Sequence, residues 1–392
     1  MPAEPLASAS PIVLSQRAQG VRSSAIRDLL KLTEQPGILS LAGGLPAPDT
    51  FPTGALAEAA QTLLADPATV QYATTEGLPA LREWVAARCV ADVGPDDVLV
   101  TTGSQQGLDL IVRALTDGGD TVAADSPGYL GALQVLQANG CRVLSVPVDE
   151  DGLDPAALEV LLEAGERPKL VYTCASLQNP TGTTLPTARR RHLVALAERY
   201  GFVIVEDDPY SALRWAGEQP DPMITLTDRA VWLSTFSKTL APGLRLGWMV
   251  GPGEVLGAAT RLKQSADLHT PTLSQHLAAS VVSRPGWFDR HVAGLVPVYQ
   301  QRAGALAAAL RVELGDRATF AEPAGGMFLW VALDGVDTDA LLPRAVEQGM
   351  AFVPGSVFHV DGRGSSALRL SFATLDPPTL AEGTARLARA LA

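Results

Sequence analysis

Seven short runs rich in valine, leucine and isoleucine punctuate the first two thirds of the chain: DDVLVTTG, TVAADSP, RVLSVPV, KLVYTCAS, FVIVEDD, AVWLSTFS and LGWMVGP. They are continuous rather than alternating in polarity, as expected of strands buried on both faces. Helix-length amphipathic stretches lie between and before them, at about 54 to 65, 76 to 90, 104 to 116, 128 to 139, 154 to 164 and 186 to 200, several with Gly or Asp just beyond. Repetition of this kind predicts βα units wound around a mostly parallel sheet, and the fold class is α/β.

Past about residue 290 the pattern changes. A long helical stretch, VPVYQQRAGALAAALRVEL, is followed by short strands TFAEP, MFLWVAL, AFVP and ALRLSFA and a terminal helix, which predicts a smaller α+β unit. A chain of 392 residues with 47% hydrophobic content can bury two such cores.

Composition then narrows the function classes. A formal net charge of -12 opposes the positive field that nucleic acid or an anionic membrane attracts, so neither is expected as a partner. The three cysteines, Cys89, Cys141 and Cys174, are too scattered for a disulfide framework and predict reduced thiols in a cytoplasmic enzyme. No run of 18 apolar residues and no export signal is visible. Five scattered histidines offer no ligand spacing, HExxH is absent, and GSQQG does not supply a GxSxG elbow. No metal is expected, although Glu206, Asp207 and Asp208 form an acidic cluster.

In a wound α/β sheet ligands gather at the carboxyl ends of strands, so the residues after each run matter most. After DDVLV, Gly103, Ser104 and Gln105 open a helix, which reads either as an anion site at free N-H groups or as a plain N-cap serine. Asn179 precedes a Pro-Thr-Gly turn, and Asp207 and Tyr210 follow the buried strand FVIVE. After AVWLS come Thr235, Ser237 and Lys238, with Arg245 seven residues on. Lysine is rare here: only Lys31, Lys169, Lys238 and Lys263 among 30 basic residues. An amine where the chain otherwise spends arginine points to chemistry a guanidinium cannot do, condensation with an aldehyde.

Eleven motifs in order, SSAIRDLLKLTEQPGILSLAGGLPAPDTFP, QYATTEGLPALR, TTGSQQGLDL, SPGYLGA, QNPTG, VEDDPY, FSKTLAPGLRLGW, QSADLHTP, PAGGMFLW, AFVPGS and ALRLSFAT, resemble the fold-type I pyridoxal-phosphate aminotransferases of class I/II, closest to the 2-aminoadipate (LysN-like) and kynurenine group. The resemblance implies an aspartate aminotransferase-like fold with a mostly parallel seven-stranded sheet. It also implies an N-terminal specificity segment over residues 1-44, a large cofactor-binding domain over 45-288 and a small domain over 289-392. It implies pyridoxal 5'-phosphate held covalently by Lys238, which also shuttles the proton, with Asp207 facing the ring nitrogen and Tyr210 and Asn179 reaching the phenolic oxygen. Tyr129 would stack on the ring and Pro209 would lie against the cofactor. The phosphate would be held by Ser104, Gln105, Thr235, Ser237, Arg245 and, from the second subunit of a homodimer with shared sites, Tyr72.

For substrate, the resemblance implies that Arg369 grips the α-carboxylate, with Asn179 and Gly44 beside it. Ser24 and Arg27 would sit on a mobile helix that recognises the distal carboxylate of glutamate or 2-aminoadipate and swings aside for apolar side chains. The expected partners are therefore an amino acid and a 2-oxo acid, with glutamate or 2-oxoglutarate as one and a 2-aminoadipate, branched-chain or aromatic substrate as the other. The wall from Leu213 to Trp215 does not transfer. Another reaction on the same cofactor, such as β-elimination, cyclisation or oxidation, is the alternative, and a MocR-like regulator without its DNA-binding domain is the remote one.

Overall fold

The computed structural model describes residues 12–15, 18 and 37–392. Its largest sheet contains β2 (Val98–Thr101), β3 (Thr121–Ser126), β4 (Arg142–Asp149), β5 (Gly152–Leu153), β6 (Leu170–Thr173), β7 (Val203–Asp207), β8 (Ala230–Thr235) and β9 (Gly247–Val250). The order is β2-β9-β8-β7-β6-β3-β4-β5. The five strands from β8 to β4 run parallel, while β9 is antiparallel to both neighbours and β5 turns back on β4. All seven apolar runs form strands; the eighth, β5, has two residues, too few to leave a hydrophobic signature.

Alternate strand residues enter different cores, which is why the runs are apolar throughout. Val122, Ala124, Tyr172 and Val205 pack with α3 (Ser104–Leu115), α4 (Leu130–Ala138) and α7 (Gly253–Ala266). Ala123, Val171 and Ile204 pack on the opposite face with α5 (Pro155–Glu163) and α6 (Thr187–Tyr200). The helices α1 (Thr53–Leu63), α2 (Pro79–Arg88) and α8 (Thr272–Val282) complete this part of the chain, α2 and α8 covering the β2-β9 edge. The adjoining helices α7 and α8 were not anticipated.

The C-terminal part builds β10 (Phe328–Ala332), β12 (Val353–Pro354) and β13 (Ala367–Ser371) into an antiparallel sheet of order β10-β13-β12. It packs with α9 (Trp287–Leu314), α10 (Thr338–Glu347) and α11 (Pro377–Leu391). The expected boundary at 288 and 289 falls inside the first turn of α9, which runs through Pro297. TFAEP is not a strand: one bridge, Thr319 to Ala332, forms before the chain leaves the sheet. AFVP splits, because β11 (Met350–Ala351) pairs with β1 (Leu39–Ser40) while β12 pairs with β13.

That split ties the start of the described chain to this C-terminal sheet. Leu41 donates to Ala351 O (2.8 Å) and accepts from Ser371 N (2.7 Å), and Ala47 N donates to the Tyr299 hydroxyl (3.1 Å). Residues 41 to 47 thereby cross from the smaller sheet to the carboxyl ends of the larger one. Among the described residues no helix is long and apolar enough to cross a membrane.

Candidate active site

Parallel strands end on one side of the sheet, so loops distant in sequence meet there. The ends of β2, β3, β6, β7 and β8 and the start of the reversed strand β9 surround a cavity of about 330 Å3, closed on the other side by Gly44, Phe328 and Arg369. It is lined by Ser104, Gln105, Tyr129, Asn179, Asp207, Pro209, Tyr210, Thr235, Ser237, Lys238 and Arg245. Every site residue anticipated within the described residues is there except Tyr72.

At one end the cavity is built for an anion. The N-cap of α3 is Gly103, at φ 78, with no side-chain cap, so Ser104 is the first helical residue and the plain N-cap reading is corrected. The first N-H groups of a helix have no preceding turn to bond to, and the helix dipole adds partial positive charge. Arg245, held at φ 52 after a short helical turn, brings Nη2 to 2.7 Å from where a Cβ on Gly103 would stand. A side chain at 103 would displace that guanidinium. Thr235 Oγ1 donates to Leu246 O (2.7 Å) and accepts from Ser237 N (3.0 Å), fixing the hydroxyl-bearing turn beside Arg245.

At the centre Asp207 ends β7. Its Oδ2 accepts from the Tyr172 hydroxyl (2.8 Å), while Oδ1 is buried with no hydrogen-bond partner among the described residues. Burial pushes the carboxyl up to about 7, against the Tyr172 hydrogen bond. Lys238 extends from the turn after β8 and donates from Nζ to Gly44 O (2.9 Å). Burial first, then the charges of Arg369 and Arg245, bring its amine down to about 8. A nucleophilic amine and an electrostatic anchor therefore share one cavity.

Arg369 lies on β13 and is buried, with Nη1 donating to Asn179 Oδ1 (2.7 Å) and Nη2 to Ala42 O (2.7 Å). Its guanidinium carbon stands 4.1 Å from the Phe328 ring centre and 5.0 Å from that of Phe358. Burial lowers it to about 10, and among the described residues no carboxylate side chain bonds it, so a charged fork faces the cavity. The Asn179 oxygen is engaged by Arg369, which leaves its amide N-H groups for another acceptor. A Cβ on Gly44 would lie 2.8 Å from Phe328 Cζ, so the loop from β1 closes on the cavity only as glycine.

Of the remaining candidates Tyr72 falls outside the cavity. Tyr72 is 78% exposed and packs its ring edge against His269, 5.6 Å between centres, in a separate surface cleft. Ser24 and Arg27 lie outside the described residues. The acidic cluster disperses because strand neighbours face opposite ways. Glu206 is paired with buried Arg190 and accepts from Met223 N (2.6 Å), and Asp208 accepts from Ser211 N (3.1 Å). Among the described residues no group of three His, Cys, Asp or Glu side chains is arranged to hold a metal.

Sequence reasoning missed Cys174 and Phe328, which line the cavity, and Tyr172 and Asp125 behind it. Asp125, pushed up to about 6 by burial, accepts from Cys174 N (3.0 Å) and Gln178 Nε2 (3.2 Å), and Gln178 also donates to Pro127 O (2.8 Å). This joins the loop carrying Tyr129 to the loop carrying Asn179. A signal existed: Tyr172 and Asp125 are polar atoms inside otherwise apolar strands, where they need a partner.

The family model for aminotransferase class I and II matches residues 37–387. A 2-aminoadipate transaminase of Thermus thermophilus is 42% identical over 95% of this chain and 94% of its own length. The aromatic-amino-acid aminotransferase 1 of Thermococcus litoralis is 38% identical over 96% and 93%. The crystal structure of LysN, the alpha-aminoadipate aminotransferase of Thermus thermophilus complexed with N-(5'-phosphopyridoxyl)-L-leucine, superposes with TM-score 0.90 at 40% identity, covering 96% of this chain and 97% of that one. With an isolated amine, an anion cradle and a buried arginine fork around one cavity, the chain belongs to the class I and II aminotransferases, with their fold-type I architecture.

Proposed function

We propose that this aminotransferase works as a cytoplasmic homodimer with pyridoxal 5'-phosphate, moving amino groups between glutamate or 2-oxoglutarate and 2-aminoadipate, branched-chain or aromatic amino acids. The reading rests above all on one observation: Lys238 Nζ, the unpartnered Oδ1 of Asp207, the Arg369 guanidinium and the uncapped start of α3 share a single cavity. The residues present fit that cofactor, since a buried carboxylate oxygen awaits a donor and the Gly103–Arg245 cradle admits an anion where a Cβ would not fit. We divide the chain into the N-terminal segment 1-44, a large cofactor domain 45-288 and a small domain 289-392.

When bound, the cofactor supplies an aldehyde that captures amines and a ring that draws electrons from the substrate's α-carbon. Lys238 would hold it until the substrate amine takes its place, and the freed amine would then carry the proton from Cα to C4'. Asp207 would face the ring nitrogen and keep it protonated. Tyr210 and the amide of Asn179 would donate to the phenolic oxygen, with Tyr129 and Pro209 against the ring. Ser104, Gln105, Thr235, Ser237 and Arg245 hold the phosphate, joined by Tyr72 from the second subunit, whose exposure on this protomer suits that role. Arg369 orients the α-carboxylate as a fork. Ser24 and Arg27 recognise the distal carboxylate.

The testing experiment mixes the yellow protein with glutamate and measures 2-oxoglutarate and the pyridoxamine form. Ammonia or pyruvate from a single amino acid would instead identify a lyase, and a salt-sensitive mobility shift with DNA would favour the regulator. The screen then extends to the common amino acids and 2-oxo acids.

Two further outcomes are expected. Only the neutral amine attacks an aldehyde, so capture of pyridoxal phosphate by cofactor-free protein should accelerate with pH and level off above about 8, the value burial gives Lys238, rather than climbing toward 10.5. Stopped-flow absorbance across pH checks this. Arg27→Gln should raise KM for glutamate and 2-aminoadipate about tenfold or more, the worth of one charge-assisted contact, and leave leucine little changed. Equal losses for all three would reduce Arg27 to a helix stabiliser.

A further inference from the structure

Asp207 has one oxygen held and, among the described residues, one unpartnered, and the holder is a strand residue outside the cavity. Tyr172, on β6, donates to Oδ2 at 2.8 Å, and both side chains are buried. The sheet register pairs Tyr172 with Val205, two residues before Asp207, so both project from the face covered by α3. The Tyr172 ring belongs to an apolar core layer where phenylalanine would pack equally well. A hydroxyl buried there is costly unless bonded. Asp207 is the partner that accepts it.

We propose that Tyr172 is a positioning residue for amino-group transfer: its hydroxyl holds Oδ2 of Asp207 so that Oδ1 alone remains to receive the ring nitrogen of the cofactor. The proposal rests on the reading of Asp207 given above. A terminal carboxylate rotates freely about its last bond, and a donor mounted on a neighbouring buried strand stops that rotation more firmly than a loop residue does. The hydroxyl also favours the ionised carboxyl. Burial above all pushes Asp207 toward the protonated form, with Asp208 and Asp125 adding to it, and among the nearby groups Tyr172 and Lys238 oppose the shift. A protonated carboxyl could not accept from a protonated ring nitrogen in the same way.

The test compares the full-length wild type with Tyr172→Phe, Asp207→Asn and the double variant. The readouts are the dissociation constant of pyridoxal phosphate, titrated into cofactor-free protein, the single-turnover rate with glutamate, and the melting temperature without cofactor. Tyr172→Phe should weaken cofactor binding and slow the half-reaction, each about tenfold as for one charge-assisted hydrogen bond, with KM for glutamate little changed. In the Asp207→Asn background the same change should cost nothing more. Wild-type affinity and rate in Tyr172→Phe overturn the proposal, as do additive losses in the double variant. Loss of cofactor-free stability with affinity intact would give the hydroxyl a purely structural role and overturns it too. If Asp207→Asn itself binds and reacts as the wild type, the assignment of Asp207 falls, and the proposal with it.

Discussion

Lys238→Arg should abolish turnover while leaving charge at the site. Arginine keeps a positive group within reach of Gly44 O, which the lysine contacts at 2.9 Å, but guanidinium neither condenses with an aldehyde nor exchanges a proton near neutral pH. General base catalysis alone is worth about 10^2 to 10^4-fold, and the nucleophile is lost as well, so the rate with glutamate should fall by at least about 10^4-fold. The bound cofactor should lose the absorbance that marks its covalent capture. Lys238→Ala makes room for a small exogenous amine, which should restore part of the proton transfer. Appreciable turnover by Lys238→Ala without added amine would sink the assignment.

Arg369→Lys carries the second large effect. The native guanidinium is held by Asn179 Oδ1 and Ala42 O and lies over two aromatic rings, which leaves it aimed at the cavity with no carboxylate among the described residues to satisfy it. An ammonium cannot reproduce a fork. Two charge-assisted hydrogen bonds at about 1.5–3 kcal/mol each correspond to a fall in kcat/KM of about 10^2 to 10^4-fold. Because every amino acid presents the same α-carboxylate, the loss should be uniform across glutamate, leucine and phenylalanine, with affinity for pyridoxal phosphate unchanged. Half-reaction kinetics with the three substrates check this. A loss confined to acidic substrates would move Arg369 to the side-chain pocket.

Arg369→Lys also tests what Asn179 does. Its oxygen is committed to Arg369, so weakening that partner frees the amide to turn, and a secondary loss of contact with the ring oxygen should appear as a small spectral shift in Arg369→Lys. No such shift is expected from changes at Arg27.

The seven longer strands of the large sheet were legible because each is a largely apolar run, most of them buried on both faces and visible without knowing their neighbours. Lys238 was legible through rarity, and Gly103, Ser104, Asn179 and Asp207 through their place just after such runs. The short pieces were not. β5 and the split of AFVP into β11 and β12 are two-residue pairings chosen by where other strands already lie. TFAEP has strand-like composition and still makes only a single bridge, Thr319 to Ala332, with β10.

The layer behind the cavity was hidden for a related reason. Phe328 at the head of FLWVA looks like any core residue, and only close approach distinguishes it. Tyr172 and Asp125 each carry a polar group into an apolar strand, which calls for a partner, but only register and contact show that Asp207, Cys174 and Gln178 supply it.

Local chemistry along the chain determined the α/β class, the strand ends that carry function, and the split between lysine for covalent work and arginine for gripping anions. Those properties depend on each residue and its near neighbours. The tertiary structure decided which loops meet, that Asp207 leaves one oxygen unpartnered among the described residues, that Tyr172 holds the other, and that Ala42 contacts Arg369 while Gly44 reaches Lys238. Such contacts join residues up to 327 positions apart, and burial, which sets the charge on each of these groups, exists only once the chain has closed around them.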